Sequence, residues 1–228
     1  MAPENPQQRL WTAVDRYFCE KLALNDAALD ATLAANAAAD LPAIDVAPNQ
    51  GKLLQLLSKL VGARKILEIG TLGGYSTIFL ARALPTDGRV ITLECNAKHA
   101  DAAHENIRRA GLLNRVEIRV GPALDNLPKI AAEGLAPFDL IFIDADKTNN
   151  PAYFEWAMRL SRVGTLILCD NVVREGQVIE AASADAAVQG ARKFFDKLAA
   201  ESRVSATALQ TVGSKGHDGF AIAVVERI

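Results

Sequence analysis

Cysteine is scarce: Cys19, Cys95 and Cys169 are the only three among 228 residues. No two are near neighbours, which excludes a CxxC metal or redox motif and a disulfide scaffold. So sparse and odd a set fits a reducing compartment, and each thiol is expected to act as a small buried hydrophobe. There is no run of lysine or arginine, and the formal net charge is -2. Phosphate binding usually needs a basic face, so nucleic acid is not expected as a partner. No apolar run approaches the roughly 20 residues of a membrane span. The start, Met1-Ala2-Pro3-Glu4-Asn5-Pro6, lacks the basic-then-apolar order of a secretion signal. Together these absences predict a cytoplasmic protein with no membrane partner. No internal repeat, low-complexity linker or second composition regime divides the chain, so one domain over 1–228 is expected.

What is present is an apolar chain, 50% hydrophobic, long enough to bury a core without staples. The first third reads as helical. Leu10, Val14, Tyr17, Phe18 and Leu22 recur near helical spacing, Asp26 can cap an alanine-rich helix ending near Asp40, and another helix runs from Gln50 to Val61. From Lys65 short apolar runs alternate with helical stretches. The runs are Lys65–Ile69, Arg89–Leu93, Val116–Val120, Phe138–Ile143 and Thr165–Cys169. The helices between them are Ser76–Leu84, Ala97–Ala110, Ala123–Ala132 and Ala152–Leu160. This succession predicts a doubly wound, mostly parallel α/β sheet whose strands are buried on both faces. Val204–Thr211 and Phe220–Val225, joined by the glycine-rich Gly213–Gly219 link, suit an antiparallel C-terminal edge hairpin. The division expected is a helical cap over 1–62 and a sheet core over 63–228.

In such sheets ligands bind outside the carboxyl ends of the strands. The first strand ends in Glu68-Ile69-Gly70-Thr71-Leu72-Gly73-Gly74, whose glycines allow a sharp turn and a close backbone approach to a ligand. The second ends in Glu94, placed to accept hydrogen bonds from both hydroxyls of a ribose. A tight strand-to-helix turn and a solvated strand end are the plainer readings of each alone; the pair favours a nucleoside. The fourth strand stops at Asp144-Ala145-Asp146-Lys147 and the fifth at Asp170-Asn171. Two carboxylates and an amide oxygen make a hard site suited to magnesium, calcium or manganese. Beside such a cation the pKa of Lys147 should fall, fitting it as a general base. Aspartates that merely cap helices and a surface lysine are the structural alternative.

Ile66–Ser76 resembles the first cofactor motif of class I S-adenosyl-L-methionine methyltransferases. Phe142–Lys147 and Cys169–Val173 resemble the metal motifs of the cation-dependent O-methyltransferases, the group of catechol and caffeoyl-CoA O-methyltransferases. The resemblance spans roughly residues 40 to 227. It implies a Rossmann-like seven-stranded sheet and a homodimer. It also implies S-adenosyl-L-methionine and a divalent cation, magnesium before calcium or manganese, as cofactors. Asp144, Asp170 and Asn171 match the metal ligands, and Lys147 the catalytic base. Glu94 matches the ribose acid. Glu68, Gly70 and Ser76 match contacts around the methionine part, Thr71 and Tyr75 further cofactor contacts, Pro122-Ala123 the adenine contact, and Val46 a backbone contact. Asp144 also falls near the cofactor's amino group. The acceptor implied is a small aromatic with adjacent hydroxyls. His217 stands where many relatives have tryptophan, at an aromatic wall. Arg174 is either a carboxylate partner or a solvated loop residue, and Arg174–Asp185 is read as an acceptor lid. His99 and His104 read as surface helix residues, and Tyr153 belongs to a packing face that can border the pocket. A nicotinamide-dependent oxidoreductase and a non-catalytic cofactor-binding protein are the rival readings. The GxxGG spacing and the intact Asp144, Lys147, Asp170 and Asn171 set weigh against them.

Overall fold

The structure is a computed structural model that describes residues 5–228; the polar start read above for a signal lies mostly outside them. Three helices come first: α1 (Pro6–Leu22), α2 (Ala27–Ala38) and α3 (Pro48–Leu60). Asp26 caps α2, its carboxylate accepting from the Ala28 and Leu29 amides at 3.0 Å. The core then alternates β1 (Lys65–Ile69), α4 (Tyr75–Ala83), β2 (Arg89–Glu94), α5 (Ala97–Arg109), β3 (Val116–Val120), α6 (Ala123–Ala132), β4 (Phe138–Ile143), α7 (Asn150–Arg159), β5 (Ser161–Asp170) and α8 (Ala186–Ala200). It closes with β6 (Val204–Gly213) and β7 (Gly216–Val225).

The seven strands lie in the order β3-β2-β1-β4-β5-β7-β6. β1 pairs in parallel with both β2 and β4, so the chain reverses its winding at β1 and opens a crevice above the tips of β1 and β4. β7 runs antiparallel to β5 and β6. The apolar runs stay apolar because alternate side chains serve opposite layers. Leu67, Ile91, Ile141 and Ile167 pack with Leu127, Phe154 and Phe194. Ile66, Val90, Leu140, Phe142, Leu166 and Leu168 pack with Leu54, Tyr75 and Phe79. Burying one such side chain contributes about 1.5–3 kcal/mol.

Four expectations are corrected. α8 is an element that the sequence pattern did not predict, although Asp185 caps it through the Ala187 amide at 2.7 Å. β5 begins at Ser161, pairing with Phe138, rather than at Thr165. The hairpin link is only Ser214-Lys215, because Gly213 and Gly216 already face each other across the strands. β3 is an outer strand and half-exposed; Glu117 and Arg119 alternate with its apolar residues and form an ion pair at 2.8 Å.

α8 matters for the site because it lies directly on the turn carrying Lys147. A Cβ added at Gly190 would sit 2.1 Å from the Lys147 carbonyl oxygen. Gly190→Ala should therefore cost about 1–3 kcal/mol, read as a lower urea midpoint with an unchanged slope. A variant as stable as the parent would show that the turn yields freely.

Candidate active site

At the tip of β1 the backbone turns back over the sheet. Gly70 has φ 105°, and a Cβ there would meet the Asp144 carbonyl oxygen at 2.2 Å. Only glycine lets the tips of β1 and β4 come this close. The turn is held from the side by Glu94. Its Oε2 accepts from the Leu72 amide at 2.8 Å and its Oε1 from the Asn96 amide at 2.9 Å. The Cys95 thiol also donates to Oε1, at 3.7 Å, so of the roughly four acceptor positions of a carboxylate the free one lies on Oε2. His99 Nδ1 lies 3.5 Å from Glu94 Oε1, which places this histidine at the site rather than on the plain surface expected of it.

From beneath, Glu68 is fully buried. It accepts from Ser76 Oγ at 2.6 Å, Thr77 Oγ1 at 2.5 Å and Thr92 Oγ1 at 2.7 Å. Thr71 Oγ1 joins the same network at 2.6 Å from Thr92 Oγ1. Burial pushes the Glu68 carboxyl up to about 7 against the pull of these hydroxyls. Tyr75 is buried, and its hydroxyl donates to Asn25 Oδ1 in the cap at 2.6 Å. Val46 is buried in the loop before α3. Pro122-Ala123 opens α6 beside Glu94, whose carbonyl receives the Gly121 amide at 2.8 Å.

The tips of β4 and β5 bring the acids together. Lys147 Nζ donates to Asp144 Oδ1 at 2.7 Å. Asp146 steadies that turn, accepting from the Asn149 side chain at 2.6 Å and from the hydroxyl of buried Tyr153 at 2.5 Å. Tyr153 therefore spends its hydroxyl on this turn. Asp170 is 4% exposed. It accepts from Gln50 Nε2 at 2.6 Å and from the Asn171 amide at 2.8 Å. Asn171 takes the left-handed φ of 55°. Past it, Asp218 Oδ1 accepts the amides of Val173, Arg174 and Gly219, each at 3.0 Å. Burial and the Asp144 charge push the Asp170 carboxyl up to about 7. Burial would lower the Lys147 pKa, but the carboxylates of Asp144 and Asp170 outweigh it and hold Lys147 above the ordinary lysine value. The fall expected of Lys147 is one that a neighbouring divalent cation would cause; facing the carboxylates alone, the lysine is shifted upward.

A cavity of about 230 Å³ opens beside Asp170 and Asn171, lined also by Asp15, Gln50, Lys215 and Phe220. His217 is not part of its wall and pairs instead with Gln210 Oε1 at 3.0 Å; Phe220 supplies the aromatic side. Arg174 is half-buried with its Nε enclosed and unpartnered. Only Cys169 is buried; Cys95, at the tip of β2, is exposed and Cys19 is half-buried, which corrects the expectation for those two. Asp15, Gln50 and Asp218 do not stand out in the sequence, because no local motif marks residues that meet the site from across the fold.

Among the described residues no group of three or more His, Cys, Asp and Glu comes together to hold a metal. The Asp144, Asp170 and Asn171 set is two carboxylates and an amide. Its donor chemistry fits a hard divalent cation, which would offset both the burial and the Asp144 repulsion that raise Asp170.

Sheet order, glycine turn and crevice define a doubly wound α/β protein, a class whose ligands bind outside the strand tips. A model described as O-methyltransferase matches residues 21–223. A protein of Niastella koreensis named catechol O-methyltransferase is 54% identical over 218 residues, covering 96% of this chain and 99% of its own. One of the same name from Mycobacterium tuberculosis is 52% identical over 212 residues, 93% and 94% of the two chains. The structure of an O-methyltransferase from Bacillus cereus in complex with SAH matches with a TM-score of 0.95 and 63% identity, over 96% of this chain and 100% of that one. The chain belongs to this O-methyltransferase family, within the cation-dependent class I group that its motifs resemble.

The buried Glu68 gives a pH signature. Its folded pKa of about 7 lies above the ordinary 4.5, so the folded state binds the extra proton between these values. Its contribution to stability is full below pH 4.5 and is lost as pH rises through 7. Glu68→Gln removes this loss. Relative to the parent, the variant should gain about 2 kcal/mol in urea-unfolding free energy between pH 5 and pH 8. Parallel pH profiles would contradict the assignment.

Proposed function

We propose that this protein transfers the methyl group of S-adenosyl-L-methionine to one hydroxyl of a small aromatic acceptor carrying two adjacent hydroxyls. The observation that supports this reading is the Lys147–Asp144 pair at the tip of β4, close enough to buried Asp170 at the tip of β5 for their charges to act on one another, with Asn171 next in the chain. Two relatives more than half identical over nearly their whole length are named catechol O-methyltransferases, which supports the acceptor class.

In this reading Glu94 takes the ribose hydroxyls, Pro122-Ala123 the adenine, and the Val46 backbone, Gly70 and Asp144 the methionine end. Glu68, Thr71, Tyr75 and Ser76 have polar atoms already bonded within the protein and act by holding the turn in shape. Asp144, Asp170 and Asn171 would hold a divalent cation, magnesium best, with calcium or manganese accommodated. When bound, that cation supplies Lewis acidity that makes the acceptor hydroxyls easier to ionise. Lys147, in its neutral amine form, accepts the proton from the reacting hydroxyl and becomes the ammonium. The oxygen left behind forms a bond to the methyl carbon in line with the breaking carbon–sulfur bond, whose electrons return to sulfur. Phe220 and the cavity walls align the ring, and such alignment is worth several kcal/mol.

The exposed stripe of Leu10, Val14, Tyr17, Phe18 and Leu22 on α1 supports a homodimer, a second copy of the chain covering it. No helix among the described residues is long and apolar enough to cross a membrane. The cytoplasm, with neither membrane nor nucleic acid as partner, remains the proposed setting.

Two outcomes test the chemistry. A chelator should abolish methyl transfer to a catechol, with magnesium restoring it; full turnover in the chelator would refute the metal role. Lys147→Ala should lower kcat by about 10²–10⁴ while calorimetric affinity for S-adenosyl-L-methionine stays near that of the parent. An equal loss in both would reduce Lys147 to a structural residue.

A further inference from the structure

We infer that Gln50, in the first turn of α3, is a positioning residue that fixes the Asp170 carboxylate for the cation, and that α1 and the β6–β7 hairpin lock Gln50 in place. The inference rests on the metal set proposed above. Gln50 and Asp170 are 120 residues apart in sequence, yet Gln50 Nε2 donates to Asp170 Oδ2 at 2.6 Å. Asp170 Oδ1 accepts the Asn171 amide at 2.8 Å. Each oxygen of this carboxylate thus has one fixed protein donor, which sets the rotation of the group and leaves lone pairs free on both.

A neutral amide suits this task. At Asp144 the donor is the Lys147 ammonium, which competes with a cation for the carboxylate charge. At Asp170 the amide orients without competing. Gln50 is itself held by a chain of bonds. Its backbone amide donates to Asn49 Oδ1 at 2.9 Å, and Asn49 Nδ2 donates to Asp15 Oδ1 at 2.8 Å. Asp15 Oδ2 accepts the Ser214 amide at the hairpin turn at 2.7 Å. Asp15 is 7% exposed although it belongs to a helix most of whose large apolar side chains face outward. Asp15, Asn49, Gln50 and Asp170 all line the same cavity.

Groups that orient metal-ligating side chains typically set affinity for the metal by 10–100-fold. The test uses Gln50→Met, which keeps the length and removes the donor. The full chain is titrated with Mn²⁺, read by the paramagnetic resonance of the free ion, and separately with S-adenosyl-L-methionine by calorimetry. The expected result is a Mn²⁺ Kd weakened about 10-fold or more with the S-adenosyl-L-methionine Kd unchanged. Equal Mn²⁺ affinity in parent and variant overturns the role of Gln50 alone. A parent chain that binds no Mn²⁺ overturns the metal reading and this inference with it. Should Gln50→Met fail to fold, Gln50→Asn replaces it, keeping the amide but falling one methylene short. A weakened Mn²⁺ Kd then supports the role of Gln50, and an unchanged one overturns it.

Discussion

Two carboxylates, Asp144 and Asp170, are drawn out of water at neighbouring strand tips with one ammonium, Lys147, as their nearest charge. Burying each ion costs several kcal/mol unless partners offset it, and the surrounding architecture supplies those partners. Asp144 is anchored through its own amide to the Ile69 carbonyl at 2.8 Å, and through its side chain to Lys147. Asp170 is met by Gln50 and by the Asn171 amide. With both carboxylates ionised the balance is negative by one charge, which makes the crevice receptive to a cation. It also decides the state of Lys147. Facing both carboxylates, the ammonium keeps its proton; it becomes a fit acceptor only when another positive charge shares their field. In the proposed mechanism base and cation site are therefore one electrostatic unit.

The side of the crevice proposed to take the cofactor is preorganised. Leu72 takes a φ of 48°, a conformation costing on the order of 1 kcal/mol for a residue with a Cβ. Glu94 compensates by accepting the Leu72 amide. Glu68 and its hydroxyls hold β1, α4 and β2 from below. The turn thus keeps its shape without a ligand, and binding need not spend energy ordering it.

How far the sequence can be read follows from the range of the forces involved. The strand tips are legible because charges interrupt apolar runs: Asp144 after Phe142-Ile143 and Asp170 after Leu168-Cys169 stand out in any buried parallel sheet. α8 is not, because its cap at Asp185 closes a stretch that suits an acceptor lid equally well. Gln50, Asp15 and Asp218 are illegible for a different reason. Their partners lie far along the chain, so neither spacing nor propensity marks them. Lys147 shows a third limit. Residue type and position are readable, yet the sign of its shift depends on which charges share the site.

The helices before β1 look like an addition to the sheet when composition alone divides the chain. The hydrogen bonds argue otherwise. Asn25 receives the Tyr75 hydroxyl, Asn36 receives Asn106 Nδ2, which also binds the Gly73 carbonyl of the cofactor turn, and Gln50 reaches Asp170. The cap therefore touches both halves of the crevice. The matched family segment begins at residue 21, which leaves out most of α1, including Asp15 on the cavity wall. In the proposed function the strand tips carry the chemistry, while α1, α3 and the hairpin wall the cavity beside Asp170. On that reading acceptor choice would rest on the cavity walls, Asp15, Gln50, Lys215 and Phe220, rather than on Asp144 and Asp170.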